Sequence, residues 1–236
     1  GLKPEARLLP TETAWIFAHG RMIQDLIVDQ LAEVERAICD WRCMRCGRVH
    51  QLTTKPKVCS ACGNERGFAP EESRFTSVVS SASCGIDVFV KVDDCPKIRI
   101  VEIKSISKDQ FWKMTSPLAE HTMRTNFYMR IVEESGHPFA DRVDTQNAYV
   151  LYASKGVGAP DSKAAAYGFG EAKSPFREYL VTRDDAATDH LSDLARKVKA
   201  WREQEVVPDR ICSSIVTHRA QNCYLKGPCF APAYSS

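Results

Sequence analysis

The hydrophobic pattern in the middle of the chain predicts a β-hairpin. Residues 85–90 and 100–104 form two apolar runs with β-branched residues, and the segment between them contains Asp, Lys and Pro, which favour a turn. Side chains alternate along a strand, so Glu102 and Lys104 are expected on the same face of the second strand. The antiparallel return of the chain would bring Asp87 close to Glu102. The pattern therefore predicts two carboxylates and an amine grouped on one hairpin.

Apolar positions at helical spacing predict two long helices on either side of this hairpin. The first is expected over about residues 15–39, and the second over about residues 188–204. The apolar stripe of the first helix contains Trp15, Ile16, Met22, Ile23, Leu26, Ile27, Leu31, Val34 and Ile38. The stripe of the second contains Leu191, Leu194, Ala195, Val198 and Trp201, and both stripes are expected to be buried. Helices that flank a β-rich middle indicate an α/β fold.

The hairpin residues have the chemistry of a site for one hard metal ion. Carboxylate oxygens from Asp87 and Glu102, together with the backbone carbonyl of Ile103, suit Mg²⁺ or Mn²⁺. Lys104 would hold an attacking water or a phosphate oxygen as charge develops. This set predicts metal-assisted cleavage of a phosphodiester bond. The alternative is an amphipathic hairpin whose Asp, Glu and Lys are ordinary surface charges.

The sequence around these residues resembles the PD-(D/E)XK nucleases, in particular the RecB-like branch of phage-type and CRISPR-associated-type nucleases. The likeness rests on Gly-Ile-Asp-Val at 85–88, Ile-Val-Glu-Ile-Lys-Ser-Ile at 100–106, Pro-Leu-Ala-Glu-His at 117–121, and Tyr128. Stretches at 149–155 and 177–181 resemble later strands of the same core. The likeness covers most of residues 15–230.

The resemblance implies a restriction-endonuclease-like core, with a mixed central sheet flanked by helices, formed by residues 1–40 and 69–236. It also implies Mg²⁺- or Mn²⁺-dependent hydrolysis of DNA, by an exonuclease rather than an endonuclease, in replication, recombination or repair. The expected setting is the cytoplasm of a bacterium or of a phage-infected host cell. The alternative is a DNA-binding or assembly module that keeps the fold with little or no catalysis.

Two positions depart from the pattern of this branch. Gln24 stands where a metal-binding His is often found on the first helix. Arg124 replaces the Gln of the family's Gln-x-x-x-Tyr, whereas Tyr128 matches the Tyr. An arginine here could bind a DNA phosphate with its forked donors, or it could be an exposed helical side chain. Gln24, Arg124 and Tyr128 are expected to form a substrate-binding shell.

Two Cys-x-x-Cys-Gly knuckles lie between the first predicted helix and the hairpin. Their cysteines, Cys43, Cys46, Cys59 and Cys62, have the spacing of a four-thiolate zinc ribbon. Residues 41–68 are therefore expected to be a zinc-ribbon insertion into the core. The segment is locally basic, which suits contact with DNA phosphates. Disulfides or free thiols are the alternative for the knuckles, and a solvated ribbon without a partner is the alternative for the insertion.

Three further cysteines predict a second metal centre near the C-terminal end. Cys212, Cys223 and Cys229 resemble the cysteines with which a subset of RecB-like nucleases binds a four-iron four-sulfur cluster, and a more distant cysteine would be the fourth ligand. With His218, the same three cysteines could instead bind a second zinc. Buried free thiols are the remaining alternative.

Charge and hydropathy narrow the class of protein. The chain of 236 residues has a formal net charge of +2, so DNA binding would depend on local basic patches rather than on overall charge. No apolar run is long enough for a membrane span, and no secretory signal is visible. Thiols at metal-binding spacing are typical of a reducing cytoplasm. DNA is the expected partner, and a membrane is not.

Overall fold

The computed structural model describes residues 11–93, 95–156, 174–206, 212–221, 223 and 226–230. The chain divides into two compact units, Gly1–Ala195 and Arg196–Ser236. The first unit contains the hairpin and the central sheet, and the second contains the C-terminal cysteines. Within the described residues, no helix combines the length and the hydropathy that a membrane span requires.

Helices and strands follow one another in a mixed α/β order. The helices are α1 (Thr11–Glu33), α2 (Lys108–Lys113), α3 (Ala119–Glu134), α4 (Asp185–Glu203), α5 (His218–Gln221) and α6 (Lys226–Cys229). The strands are β1 (Ala37–Cys43), β2 (Val49–Thr53), β3 (Phe68–Glu71), β4 (Ser73–Ser77), β5 (Ala82–Ile86), β6 (Val88–Val90), β7 (Arg99–Ile106), β8 (Asn147–Ser154) and β9 (Phe176–Thr182). A 3₁₀ turn, Pro138–Arg142, precedes β8.

A seven-stranded mixed sheet is the centre of the first unit. Its strands have the order β2-β1-β6-β7-β8-β9, and β3 pairs with the C-terminal half of β1. β7 and β8 are parallel, whereas the other pairs are antiparallel. Only residues 88–90 of the predicted first strand pair with β7, as β6, whereas residues 85–86 belong to β5, which pairs with β4 in a separate two-stranded sheet. The predicted α/β fold, with a mixed central sheet flanked by helices, is confirmed.

The alternation of side chains along β7 separates two core layers. Val101 and Ile103 pack in the layer that includes residues of α1, whereas Ile100 packs in the layer that includes residues of α3. Glu102 and Lys104 have the same parity as Ile100, so they lie on the α3 side of the sheet. The sequence pattern correctly predicted that Ile103 is buried.

The first helix ends earlier than predicted. It covers Thr11–Glu33, and residues 37–39 belong to β1 rather than to a last helical turn. The helix stops because Glu35 has a φ of 55°, a left-handed conformation that redirects the chain into β1. Arg36 then donates its backbone N–H to the carbonyl of Leu31 at 2.9 Å, which satisfies one of the free carbonyls of the last turn.

The predicted apolar stripes of the two long helices are wrong in large part. In α1 the buried residues are Ile27 and Val28, and the exposed members of the predicted stripe are Trp15, Ile16, Met22, Leu26 and Val34. In α4 the buried residues are Thr188 and Ser192, and the exposed members are Leu194 and Val198. Both buried α4 hydroxyls have polar partners, Arg130 and Ser80. Hydrophobic periodicity indicates which face of a helix could be buried, but the elements packed against the helix decide which face is buried.

The C-terminal end of α3 is held by a polar network. Glu134 accepts hydrogen bonds from Ser77 and Ser80 in the β4–β5 hairpin and from Arg130 one turn earlier. Burial alone would raise the pKa of Glu134, but these donors outweigh it and the pKa is lowered. Ser80 also bonds to Ser192 of α4 at 2.8 Å. The network fixes α3 against the hairpin, which in turn fixes the α3 side chains that face β7.

Candidate active site and metal centre

Asp87 is buried at the bend between β5 and β6. Its Oδ2 accepts a hydrogen bond from the backbone N–H of Ile103 at 2.7 Å, and its Oδ1 accepts one from Gln24 Nε2 at 3.0 Å. The side chain is only 6% exposed. Because one partner is on β7 and the other on α1, the carboxylate is fixed from two sides.

Glu102 and Lys104 form an ion pair on β7 in which the carboxylate is buried and the lysine side chain is 23% exposed. Lys104 Nζ lies 2.5 Å from Glu102 Oε1, and Arg124 Nη1 lies 3.7 Å from the same oxygen. Glu102 is only 2% exposed, yet no described residue donates a hydrogen bond of good geometry to Oε1. The oxygen is thus contacted by two cationic side chains, although neither contact has good hydrogen-bond geometry. A carboxylate oxygen is also a ligand that hard cations prefer.

The two carboxylates influence each other electrostatically. Burial raises the pKa of Asp87 to about 8, with a further contribution from the Glu102 carboxylate, although Lys104 and the Ile103 N–H act in the opposite direction. Two carboxylates that share a buried place cannot both ionise without repulsion. A divalent cation between them would remove this repulsion, and their oxygens fit Mg²⁺ or Mn²⁺.

The three residues predicted to bind substrate lie close to this group. Gln24 and Arg124 line an open cleft of about 620 Å³, which Ile103 and Lys104 also border. Gln24 therefore lines the cleft and also donates a hydrogen bond to Asp87. Tyr128 is half-buried. Burial raises the pKa of its hydroxyl, and the Glu102 carboxylate adds a smaller contribution in the same direction.

The cleft lies between α1 and α3 and is strongly basic. Its lining includes Arg21 and Lys155 in addition to Lys104 and Arg124, and no Asp or Glu is among the described residues that line it. The exposed side chains of Ile16 and Phe17 contribute an apolar part of the wall. A concave surface with several cations and no surface carboxylate suits a polyanion such as a nucleic-acid backbone.

Three ionisable residues of the cleft were not among the site residues predicted from the sequence. Arg21 and His121 are on helices whose orientation the sequence does not specify, and Lys155 directly follows β8. Lys155 comes near the site because β8 pairs in parallel with β7, with Lys104 opposite Tyr152. One signal could have found it, since neighbouring parallel strands end at the same edge of a sheet and ligands bind there.

The four predicted zinc ligands form a compact group of sulfurs. The Sγ atoms of Cys43, Cys46, Cys59 and Cys62 all lie within 4.8 Å of one another. Cys43 and Cys62 are 3.8 Å apart, and Cys46 and Cys59 are 3.7 Å apart. A disulfide requires about 2.0 Å, whereas four thiolates at about 2.3 Å from a tetrahedral zinc are about 3.8 Å apart. The group could therefore bind a metal ion such as zinc, and its geometry does not fit disulfides.

The two knuckles share one backbone geometry. Gly47 donates its N–H to the carbonyl of Cys43 at 2.8 Å, and Gly63 donates to the carbonyl of Cys59 at 2.9 Å. The two glycines have φ values of 76° and 69°, which residues with a Cβ rarely adopt. Cys43 is the last residue of β1, so the first knuckle continues directly from the central sheet.

The pKa values of the thiols differ within the knuckles and between the knuckles and the core. Burial opposes ionisation of Cys43, but the backbone N–H groups of its knuckle outweigh it and lower the pKa to about 6. The pKa of Cys59 is lowered by the same balance. In contrast, burial raises the pKa of Cys39 and of Cys84 to about 12. Within the knuckles the backbone N–H of Asn64 acts to lower the pKa of Cys62, but burial and the three neighbouring thiols outweigh it and raise this pKa to about 12 as well. The closeness of the four sulfurs, rather than their pKa values, therefore marks the knuckle cysteines as ligands.

The C-terminal cysteines belong to the second unit. Within the described part of the chain, one set of three or more His, Cys, Asp or Glu side chains has its ligand atoms within 4.8 Å of one another, and it is the set of knuckle cysteines. Cys212, Cys223 and Cys229 form no such set among the described residues. Residues 207–211, 222 and 224–225, which surround these cysteines, lie outside the described residues, as does the side chain of His218. The iron-sulfur cluster and the second zinc stay predictions.

Comparisons of this chain with models of protein families and with curated proteins find no match. The class of protein is therefore defined by fold and site. It is an α/β protein with a mixed sheet, a buried carboxylate paired with a lysine beside a basic cleft, and a four-cysteine group able to bind a metal ion such as zinc.

Proposed function

We propose that the protein is a divalent-metal-dependent DNA nuclease of the PD-(D/E)XK type that acts as an exonuclease in replication, recombination or repair. The observation that carries the proposal is the pair of buried carboxylates, Asp87 and Glu102, with Lys104 beside them in a cleft lined by cations. The strand order β1-β6-β7-β8, with a parallel last pair, agrees with the restriction-endonuclease-like core that the resemblance implies.

Asp87 and Glu102 are the proposed ligands of Mg²⁺ or Mn²⁺, together with the carbonyl of Ile103. When both carboxylates are ionised, they and the one amine leave a net negative charge in a place of low dielectric, which a divalent cation would offset. The buried Glu102 carboxylate, whose Oε1 faces the cationic side chains of Lys104 and Arg124, supports this ligand set. When bound, the ion would supply Lewis acidity and lower the pKa of a coordinated water.

The other residues of the site act on the substrate and on the water. Lys104 extends from β7 into the cleft, where its ammonium can orient the nucleophilic water and stabilise the charge on the phosphate oxygens. Arg124 can bind a phosphate through two N–H groups. Gln24 holds the Asp87 carboxylate at 3.0 Å and thereby fixes its orientation.

The four-cysteine group is the proposed zinc ribbon of this nuclease. It bears exposed cations, including Arg45, Arg48 and Lys57, which suit contact with the phosphates of duplex DNA. The C-terminal cysteines are proposed to bind an iron-sulfur cluster, or a second zinc with His218. Purification without oxygen, followed by iron and zinc analysis, distinguishes these two occupants.

Cleavage assays on Glu102→Ala and Lys104→Ala test the proposed function. Wild-type protein with Mg²⁺ or Mn²⁺ should degrade linear DNA and leave covalently closed circular DNA intact. Each variant should lose about 10²- to 10³-fold or more in rate, because a charged group that acts in the transition state is removed. Lys97→Ala is the matched control, because this exposed lysine lies in the β6–β7 turn at the opposite end of the strand.

The same assay separates the remaining functions. Cleavage of covalently closed circular DNA would show that the protein is an endonuclease rather than an exonuclease. DNA binding without cleavage under any divalent metal would favour the DNA-binding or assembly module. Activity close to that of the wild type in both variants would remove the catalytic assignment from this site.

A further inference from the structure

His121 has a defined hydrogen-bonding environment in the cleft. It is in the first turn of α3, its side chain is 13% exposed, and it lines the cleft together with Lys104 and Arg124. Its Nδ1 lies 2.8 Å from the hydroxyl of Tyr152, a fully buried residue on β8. Tyr152 is opposite Lys104 in the β7–β8 register, so the two side chains share one face of the sheet.

The Tyr152 hydroxyl determines which imidazole nitrogen carries the proton. This hydroxyl accepts a hydrogen bond from the backbone N–H of Leu118 at 3.0 Å. It has one proton to donate, and His121 Nδ1 is its acceptor among the described residues, because a buried hydroxyl retains a partner. Donation from this hydroxyl to Nδ1 leaves the hydrogen of a neutral imidazole on Nε2.

His121 lines the cleft, and its Nε2 forms no hydrogen bond with the described residues. Its nearest ion-pair neighbour among the described residues is Glu120 Oε1 at 3.6 Å, a largely exposed carboxylate beyond hydrogen-bond distance. Burial lowers the pKa of His121, and Lys104 and Arg124 act in the same direction, against Glu120 and Glu102. A neutral imidazole at this place is a fixed hydrogen-bond donor between two cationic side chains.

We propose that His121 is a substrate-binding residue, whose Nε2–H donates to a phosphate oxygen of DNA in the cleft, and that Tyr152 is the positioning residue that fixes this tautomer. This inference rests on the proposed nuclease function, because it takes DNA as the substrate. Lys104 and Arg124 attract the phosphate by charge, whereas His121 adds a directional donor that fixes its orientation. Because the donor is neutral, its contact does not depend on protonation near pH 7.

The first test is independent of catalysis. Nitrogen-15 NMR of the histidine side chains in wild-type protein at pH 7, assigned with His121→Gln, should show a neutral His121 with the proton on Nε2. Addition of a short oligothymidylate in EDTA should shift the Nε2–H resonance. A protonated ring, the proton on Nδ1, or an Nε2–H resonance that the oligonucleotide does not shift would overturn the proposal.

The second test uses cleavage. His121→Ala should reduce kcat by about tenfold or more, and His121→Gln, which places an N–H near the position of Nε2, should recover part of the loss. Tyr152→Phe, checked for folding by its Tm, should show both His121 tautomers by NMR and an intermediate rate. The matched control is His190→Ala, an exposed histidine on α4 that should cleave at the wild-type rate.

The failures of the two proposals are distinguishable. If Lys104→Ala is inactive but His121→Ala cleaves at the wild-type rate, the role of His121 is overturned and the nuclease remains. If wild-type protein does not cleave DNA, the nuclease proposal fails, and the NMR shift on addition of the oligonucleotide still decides whether His121 binds phosphate.

Discussion

Asp87 illustrates how a single buried carboxylate can link stability to metal binding. In the absence of a cation its ionised form is opposed by burial and by Glu102, which is why its pKa rises to about 8. The unfolded chain would hold the same group ionised above about pH 4. The stability contributed by protonated Asp87 is therefore fully present below about pH 4, the pKa of this group in the unfolded chain. It is lost as the pH rises through about 8, the pKa of the same group in the folded protein.

Asp87→Asn should therefore stabilise the metal-free protein and abolish its stabilisation by metal. In EDTA the variant should be more stable than the wild type by about 1–4 kcal/mol, since an uncompensated buried charge is removed. The difference should grow from pH 5 to about pH 8 and then level off. Addition of Mn²⁺ should raise the Tm of the wild type and leave that of the variant unchanged. Thermal unfolding measures both effects.

Asp93→Asn is the control for this substitution. Asp93 is an exposed carboxylate in the β6–β7 turn and pairs with Arg36, so its replacement should change stability by no more than about 1 kcal/mol. An equal response of wild type and Asp87→Asn to Mn²⁺ would contradict the role of Asp87 as a ligand.

Local spacing allowed Asp87, Glu102 and Lys104 to be predicted together, because the last two are on β7 and Asp87 directly precedes β6, the strand that pairs with β7. His121 and Tyr152 were not predicted as partners. They are 31 positions apart, and their contact depends on how α3 crosses β8. No periodicity within either segment contains that information, since it comes from packing of the whole unit.

The end of α1 shows the corresponding limit at the level of secondary structure. The apolar pattern continues past Glu33 into β1, so a helix to about residue 39 was predicted. The break occurs at Glu35, in a left-handed conformation that usually belongs to Gly or Asn. The sequence has neither residue there to mark the end of the helix.

Glu35→Gly should stabilise the protein by about 0.5–1 kcal/mol, because relief of the left-handed strain exceeds the added entropy of the unfolded chain. Gln30→Gly, at an exposed position inside α1, should destabilise it by about 1 kcal/mol. Chemical unfolding of both variants gives the two free energies. A loss of stability in Glu35→Gly as large as that in Gln30→Gly would contradict the strain at this helix end.

The four-cysteine group was predictable as a unit, because two Cys-x-x-Cys-Gly segments contain both the ligands and the glycines that their turns require. The structure adds that Cys43 terminates β1, whose opposite end pairs with β6. Loss of the metal should therefore loosen β2, β3 and the end of β1 before it affects the β6–β7 hairpin.

Cys59→Ser should reduce the zinc content from about one ion per chain to near zero. Hydrogen exchange should increase first in residues 43–71, and DNA binding should weaken. Cys95→Ser, outside the knuckles, is the matched control and should retain the zinc. Retention of a full zinc equivalent by Cys59→Ser, or a wild-type protein without zinc, would contradict the assignment.

Over the whole molecule, charge is nearly balanced, with 32 Lys and Arg against 30 Asp and Glu. A long-range field therefore contributes little to binding of a polyanion, and attraction must come from places where cations are concentrated. The cleft is such a place in the described structure, because Arg21, Lys104, Arg124 and Lys155 line it without a surface carboxylate.

Binding of a short single-stranded oligonucleotide in EDTA should consequently depend steeply on salt. Each phosphate contact contributes a slope of about −0.7 in a plot of log K against log salt, so Arg21→Gln should make the slope less negative by about one contact. Lys97→Gln removes the same charge from the β6–β7 turn, roughly 20 Å along the strand from Lys104, and should leave the slope unchanged. Fluorescence anisotropy at several salt concentrations measures both. If the two variants change the slope equally, overall charge rather than the cleft attracts the DNA, and the cleft loses its role as the binding site.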